Sequence, residues 1–498
     1  MKLTGRRKAA LATFVGSGST TLIAALQSIL LLPMYLRSVG TETYGVWLAT
    51  GEILLWMVAF DCGIPNLMIQ RIGSAHAQGR TGEIGRQFAS CLAFLSLIAV
   101  ALSGLLWALS PIVANLFANG SVASGDLVGP LRTAAIATGL TLVNYAFQGL
   151  ARALQLTALP NVAAVLSTIV GFAITYILLL QGLGLQAIAI GLLVRSVGSL
   201  MGGILVLLTV EGFRPARQGF RPCREVTMEY IRETPLLLSS GIAYALMTNS
   251  QIAIANLVLG PATAVLLSTT RRLADLIKAV LDMASYSTEG GLAHLFGTGD
   301  RPKIVRVLRE IDERFYLLSF AMLTGYVSAN GSFVELWTGG EFQPLPILTL
   351  LLAARAFTTT WSYMGVARLR ASGAFRTASA VLLGDCFFRV LAMTLGAMNW
   401  GLIGLCLGSA LPSIAFGYLA RTNIEGAWGA LPRFNVSLAA ICVGVSILSI
   451  AIGFLAKPAS WVGVILLGLS VVGVSGAVLF AASRRRSMPE AVPLQRAA

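Results

Sequence analysis

Long apolar runs separated by short polar stretches make up almost the whole chain. Fourteen of these runs approach the ~20 residues that a helix needs to cross a bilayer. They cover 10–36, 43–68, 88–116, 131–151, 159–181, 184–209, 234–259, 262–293, 315–337, 345–367, 374–396, 401–420, 434–456 and 461–482. The longest polar stretches are 210–233, 294–314 and the tail after Ala482, too short for a large soluble domain. The pattern predicts an all-α polytopic membrane protein of about 14 transmembrane helices.

Composition agrees. Of 498 residues, 56% are hydrophobic and 11% charged, with a mean hydropathy of +0.79. Soluble domains carry about 25% charged residues, so lipid must cover the surplus apolar surface. The basic start followed by "ALATFVGSGSTTLIAALQSIL" is too long for a signal-peptide core and reads as the first span. Six cysteines lie scattered, without metal-ligand spacing or a legible disulfide framework.

Orientation follows from Lys and Arg, which concentrate in cytoplasmic loops. With the N-terminus inside, the inside segments hold 27 of the 36 basic residues and the outside segments 3, Arg37, Arg132 and Lys457. The other 6 lie within spans: Arg195, Arg271, Arg272, Lys278, Arg355 and Arg389. The split predicts both termini in the cytoplasm. It also makes the net charge of +15 a topology signal rather than a nucleic-acid surface.

The two halves resemble each other. "GLARALQ" at 149 matches "GVARLRA" at 365, and "GLQAIAIGLLVRS" at 184 matches "GLIGLCLGSALPS" at 401. Gly40, Thr43 and Thr50 match Gly260, Thr263 and Thr270, 220 positions on; Gly79 and Arg86 match Gly299 and Arg306 at the same offset. The repeat unit is six helices. An even number keeps both units in the same direction, a parallel repeat of the kind found in transporters. Four parts are expected: an N-terminal six-helix lobe (1–210), a cytoplasmic linker (211–233), a C-terminal six-helix lobe (234–425), and two additional helices with a basic tail (426–498).

Within this frame "LLPMYLRSVGTETYGVWLATGEILLWMVAFDCGIPNLMIQR" (31–71) resembles the first helices of polysaccharide flippases. Gly40, Tyr44 and Gly45 form the turn motif, and Asp61, Gly63 and Asn66 follow it. "GTGDRPKIVRVL" (297–308) and "FVELWTGGEF" (333–342) are similar to later segments of that family. The resemblance is to the O-antigen-type branch of the multidrug/oligosaccharidyl-lipid/polysaccharide exporter superfamily. It implies two six-helix lobes around a central cavity with cationic residues in it. It also implies translocation of undecaprenyl-pyrophosphate-linked oligosaccharide across the bacterial inner membrane, by alternating access, for surface polysaccharide synthesis.

The charges carry the candidate chemistry. Arg271 and Arg272 lie about ten residues into the eighth span, so ~15 Å deep, near the bilayer midplane. Arg271, Asp275, Lys278 and Asp282 are spaced 4, 3 and 4 and share one helical stripe. Each central charge costs about 2.5–3.5 kcal/mol in lipid, so the stripe must face protein or water. Arg271–Asp275, Lys278–Asp282 and Asp385–Arg389 are spaced as i,i+4 pairs. Arg271 and Arg272 sharing Asp275 leaves one cation over, and arginine binds phosphate bidentately. Arg355 lies at similar depth with no partner on its own helix.

Glu52 is mid-span in the second helix and is expected to face the lumen. The 220-residue offset matches it to Arg272, which suggests a gating or coupling pair with Lys278 and Asp275 nearby. Asp61, before Gly63 and Pro65, reads as a local hydrogen-bond acceptor at a helix break and completes the candidate coupling or gating set. Gln27, Asn249 and Gln251 are mid-span polar residues suited to sugars or to bonds between helices. The candidate substrate-binding set is therefore Arg271, Arg272, Arg355, Glu52, Gln27, Asn249 and Gln251. No metal or cofactor is expected, and a proton or sodium ion is the candidate coupling species. Expected partners are the lipid-linked oligosaccharide, membrane lipids, and the polymerase and glycosyltransferases of the same pathway. A drug or cation antiporter of the same superfamily is the rival reading. A polytopic polymerase, ligase or acyltransferase is a weaker one, because outer loops are short and His76 and His294 lie at cytoplasmic helix ends.

Overall fold

The computed structural model describes residues 23, 27, 30–61, 63–118, 120, 122–428, 444–445, 447–449, 451–453 and 455–484. Every regular element among them is helical: α1 Leu30–Val39, α2 Thr41–Val58, α3 Ile64–Ala77, α4 Thr81–Ala118, α5 Ser124–Ala153, α6 Ala158–Leu180, α7 Leu185–Thr209, α8 Arg214–Gln218, α9 Arg224–Asn249, α10 Gln251–Leu259, α11 Pro261–Gly297, α12 Arg301–Thr338, α13 Pro346–Ala371, α14 Phe375–Trp428 and α15 Trp461–Arg484. In hydrocarbon each backbone N–H and C=O must be satisfied within the protein, which helices achieve segment by segment.

Among the described residues, seven helices are long and apolar enough to cross a membrane: α2 with its continuation to Asp61, α4, α6, α7, α12, α14 and α15. The pair α9–α10, bent by 48°, makes an eighth. α5, α11 and α13 have 30, 37 and 26 residues. They have the length but not the hydropathy, because their faces carry charges, hydroxyls and amides. The expected spans at 374–396 and 401–420 run together as α14, and Trp400 (φ −130°) and Gly401 (φ 58°) break it where the connection was expected. The expected single span at 234–259 is instead two helices meeting at Ser250. Residues 434–443 of the expected span 434–456, and the first half of 10–36, lie outside the described residues.

Large apolar side chains stand exposed along the helices: Leu97, Val100, Leu105, Ile112 and Leu116 on α4, and Leu159, Val162, Leu166 and Ile169 on α6. Apolar surface this extensive marks a lipid-facing belt rather than a water-facing one. Where helices meet, small residues replace large ones. On α6, Ala163, Ser167, Gly171 and Thr175 form an i,i+4 stripe against Gly191, Gly198 and Gly202 of α7. Within α14, Gly396 and Ala392 back onto Gly404 and Gly408. Lipid offers no hydrophobic drive for helices to associate, so close backbone approach supplies the dispersion contacts instead.

The chain forms two compact units, Met1–Val265 and Leu266–Ala498, so α9 and α10 belong with the first. The repeat is visible in the backbone. α4 and α12 are both 38 residues long, and their ends differ by the same 220 positions. Gly40 (φ 86°, ψ 154°) recurs as Gly260 (φ 94°, ψ 166°), and Gly79 (φ 73°) as Gly299 (φ 70°). Gly184 (φ 55°, ψ −132°) recurs as Gly401 (φ 58°, ψ −142°). These are conformations that side chains with a Cβ rarely adopt.

Candidate functional site

The buried charges of the second unit gather on four helices, and α13 joins them. Arg271 Nε lies 3.0 Å from Asp275 Oδ2. The other carboxylate oxygen, Oδ1, takes Arg355 Nη1, also at 3.0 Å. Asp275 is thus held between two guanidiniums, one from its own helix and one from α13. Arg271 is buried and Arg355 is 2% exposed, while the Asp275 side chain is 31% exposed. The carboxylate is the reachable member, with the two arginines behind it. Arg272, the next residue on α11, is half-buried. Arg355 is thus a second cation on Asp275, reached across 80 residues of sequence, which local spacing on α11 does not show.

One turn further on, Lys278 Nζ lies 2.5 Å from Asp282 Oδ2, and Thr360 of α13 donates to Asp282 Oδ1 at 2.9 Å. Its neighbour Thr359 accepts a hydrogen bond from Arg389 Nη1 at 2.8 Å. Arg389 makes a forked contact with Asp385, Nη2 lying 3.0 Å from both oxygens, and Ser362 and Ser413 donate to the same carboxylate. Neither Arg389 nor Asp385 is more than 1% exposed. Charged groups survive such burial only when paired and hydrogen-bonded. α13 supplies a partner to each carboxylate in turn, with Arg355, Thr360 and Ser362. Above Asp275, Tyr326 and Asn330 of α12 donate to the Thr270 carbonyl, and Asn330 also reaches Thr349.

Arg368 was placed in an inside loop by the charge count. It lies buried near the end of α13, 2.5 Å from Asp312 Oδ1 of α12. Arg421 of α14 stands 3.9 Å from Asp312 Oδ2 and 3.1 Å from Glu425. These four close the ladder at one end, beside a small cleft lined by Trp361, Met364, Gly365 and Gly417. Sequence reading missed Asp312, Thr359 and Thr360. A hydroxyl or a single acid on a long helix carries no signal until its partner on another helix is known.

In the first unit Glu52 is 3% exposed and both its oxygens accept backbone N–H groups. Ile252 N donates to Oε1 at 3.2 Å and Ala253 N to Oε2 at 2.7 Å. Those are donors in the first turn of α10, which a new helix leaves without intrahelical partners. A carboxylate there also meets the positive end of the helix dipole. Glu52 thus caps the half-helix created by the break at Ser250. Gln251 is buried at the same break, and Asn249, the last residue of α9, is half-buried. Gln27 is half-buried. Asp61 Oδ1 accepts from Gly63 N at 2.8 Å, at the turn between α2 and α3, where Gly63 takes a left-handed φ of 63° and Pro65 follows in the first turn. Glu52, Gln251 and Asn249 therefore converge on one helix break, and Arg271, Asp275 and Arg355 on one ion cluster. Among the described residues no group of three or more His, Cys, Asp or Glu has the arrangement of a metal site.

No protein-family model matches the chain. No curated protein matches it either. Solved structures do. An inward-facing multidrug resistance MATE family transporter of the MOP superfamily superposes with a TM-score of 0.66 at 15% identity, over 80% of this chain and 95% of its own. The lipid II flippase MurJ, in an inward closed conformation, gives 0.66 at 12% identity, over 96% of this chain and 99% of its own. A Vibrio cholerae MATE transporter, VcmN, gives 0.62 at 16% identity, over 85% of this chain and 98% of its own. The fold is that of these polytopic transporters and flippases.

Proposed function

We propose that this protein is a flippase that carries an undecaprenyl-pyrophosphate-linked oligosaccharide across the bacterial inner membrane by alternating access, with both termini in the cytoplasm. The observation that carries this reading is the cluster deep in the second unit in which the Asp275 carboxylate is held between the guanidiniums of Arg271 and Arg355, with Arg272 next to it on α11. Ionisable groups at that depth mark substrate pathways. A pyrophosphate suits this one, because guanidinium forks match phosphate oxygens. Asp275 bridges Arg271 and Arg355. An incoming phosphate replaces it on one of them. The polyprenyl tail stays in lipid and needs no site. A lipid II flippase shares this fold over 96% of this chain, so the fold accommodates a lipid-linked cargo.

A proton or sodium ion remains the candidate coupling species, and the pathway's polymerase and glycosyltransferases the candidate partners. The reading is tested by surface-glycan export in a strain deleted for the gene. Arg271→Ala and Arg272→Ala are expected to impair export at normal protein level, and Arg→Lys to harm less. Unchanged export in both alanine variants and in their double overturns the assignment. The rival antiporter reading predicts instead that the deletion alters drug susceptibility and leaves surface glycan intact.

A further inference from the structure

The segment between α7 and α9 is no loose linker. Phe213 and Ala216 are buried in the core of the first unit with Phe88, Phe147 and Tyr230. A Cβ on Gly85 of α4 would lie 2.2 Å from the Gly219 backbone, so the segment lies directly on that helix. Cys223 N donates to Ser90 Oγ at 2.9 Å, and Ser90 Oγ donates to Cys223 O at 3.4 Å. Arg217 ties back to the Leu208 carbonyl. The Tyr230 hydroxyl donates to Gln87 at 2.7 Å, with Arg71 stacked over its ring. The backbone of 213–223 is thereby fixed against the end of α4.

This fixed segment presents Arg214, Arg221 and Arg224 outward together with Gln218, Phe220 and Pro222, and Glu211 and Glu225 are exposed on either side of it. "RPARQGFRPCR" (214–224) has four arginines and no acid. Arg214, Arg221 and Arg224 are exposed, and Arg86 is exposed on α4 beside the Gly85 contact. Phe220 stands among them, 45% exposed, one face against Phe88. The chain enters the segment directly from lipid-facing helix. Leu205 and Leu208, in the last turns of α7, are 61% and 59% exposed. The exposed leucines of α7, Phe220 and the arginines on both sides of it lie within twenty residues of one another, which brings apolar belt, aromatic and cationic groups together where hydrocarbon meets headgroups.

We propose that Arg86, Arg214, Arg221 and Arg224 form a rigid binding surface for the headgroups of anionic phospholipids, with Phe220 seated at the acyl boundary. Charge complementarity sets the occupant: juxtamembrane basic residues gain about 1 kcal/mol each near an anionic leaflet, roughly fivefold in affinity. Because the backbone is already pinned to α4, little ordering entropy opposes binding. The surface differs from ordinary positive loops in that respect. The inference takes from the proposed orientation only that this face meets the inner leaflet.

The experiment uses the full chain purified in detergent. Phosphatidylglycerol is titrated in against phosphatidylcholine, and bound lipid is counted by native mass spectrometry. Wild type is expected to retain phosphatidylglycerol selectively, with affinity falling as salt rises. The triple variant Arg214→Gln, Arg221→Gln and Arg224→Gln is expected to lose on the order of a hundredfold. The corresponding Lys triple is expected to keep most of the binding, and it decides the matter if the Gln triple does not fold. Phosphatidylglycerol retained equally by the Gln triple, or bound no better than phosphatidylcholine by wild type or the Lys triple, overturns the proposal. Competition by a polyprenyl pyrophosphate, with inorganic phosphate inert, would assign the surface to cargo and overturn it too. Export assays on Arg271 and Arg272 are independent of this readout, so the two readings fail separately. Failure of the orientation would show in cysteine labelling at Arg221 from the outside, with lipid selectivity in detergent unaffected.

Discussion

The second helix of one repeat and its counterpart in the other begin in the same way and then diverge. Thr41 opens α2 and Pro261 opens α11, 220 positions apart, each after a glycine of nearly identical backbone conformation. In the first unit the helix stops at Val58, turns through Ala59–Asp61 and restarts at Ile64. In the second it runs 37 residues without a break. The cause is local. Asp61, Gly63 and Pro65 occupy positions where the second unit has Leu281, Met283 and Ser285. A left-handed glycine and a proline stop one helix, and their absence lets the other continue. Charge divides the same way. Glu52 in α2 is satisfied by backbone donors of a broken helix, whereas Asp275 and Asp282 in α11 are satisfied by side chains. One scaffold thus holds buried acids by two means: exposed helix ends in one copy, cross-helix cations in the other.

The largest expected effect breaks the second means. Asp275→Ala leaves Arg271 and Arg355 buried without their shared carboxylate, which costs about 3–5 kcal/mol. Thermal unfolding of the purified protein should show a clear fall in midpoint. The double change Asp275→Leu with Arg355→Met removes both charges of that contact and should recover much of the loss. A single variant as stable as wild type would mean that the cluster is solvated rather than buried.

The next effect breaks the first means. Glu52→Ala strands the Ile252 and Ala253 N–H groups in the protein interior, at about 1–3 kcal/mol. Glu52→Gln keeps one acceptor and should lose less. The repeat offset matches Glu52 with Arg272, and for a gating pair a charge swap would recover part of export. Glu52→Arg puts a cation against the positive end of α10, so the swap is now expected to fail for a reason internal to the first unit. Hydrogen exchange at α10 distinguishes the two: faster exchange in Glu52→Ala identifies loss of the cap.

Local features were legible and long-range ones were not. The spans, the Gly63 break, the i,i+4 pairs Arg271–Asp275, Lys278–Asp282 and Asp385–Arg389, and the repeat offset all follow from periodicity and residue type. The bend at Ser250 was missed because it has neither Gly nor Pro; the carboxylate that accepts its freed N–H groups lies 200 residues earlier in the chain. Arg355 looked unpartnered because its acid lies on another helix. Apolar patterning shows which face is buried, but not which neighbour it is buried against. Backbone donors such as Ile252 N have no signature in a sequence at all.

The smallest expected effect tests the break itself. Asp61 Oδ1 takes one hydrogen bond, from Gly63 N, closing a local turn of the kind Asp favours. The residue is only half-buried, so water can replace part of what is lost. Asp61→Ala should therefore cost about 1 kcal/mol, below either change above, and Asp61→Asn less, since its carbonyl still accepts. Gly63→Ala acts on the same turn through the backbone: a Cβ at φ 63° costs about 1–2 kcal/mol. If the hydrogen bond and the glycine serve one turn, the double variant should lose less than the sum of the two, because a turn already opened by one change has little left for the other to break. Strict additivity in the unfolding midpoints would show that Gly63 alone makes the break. The difference between α2 and α11 would then rest on a single glycine and the proline after it.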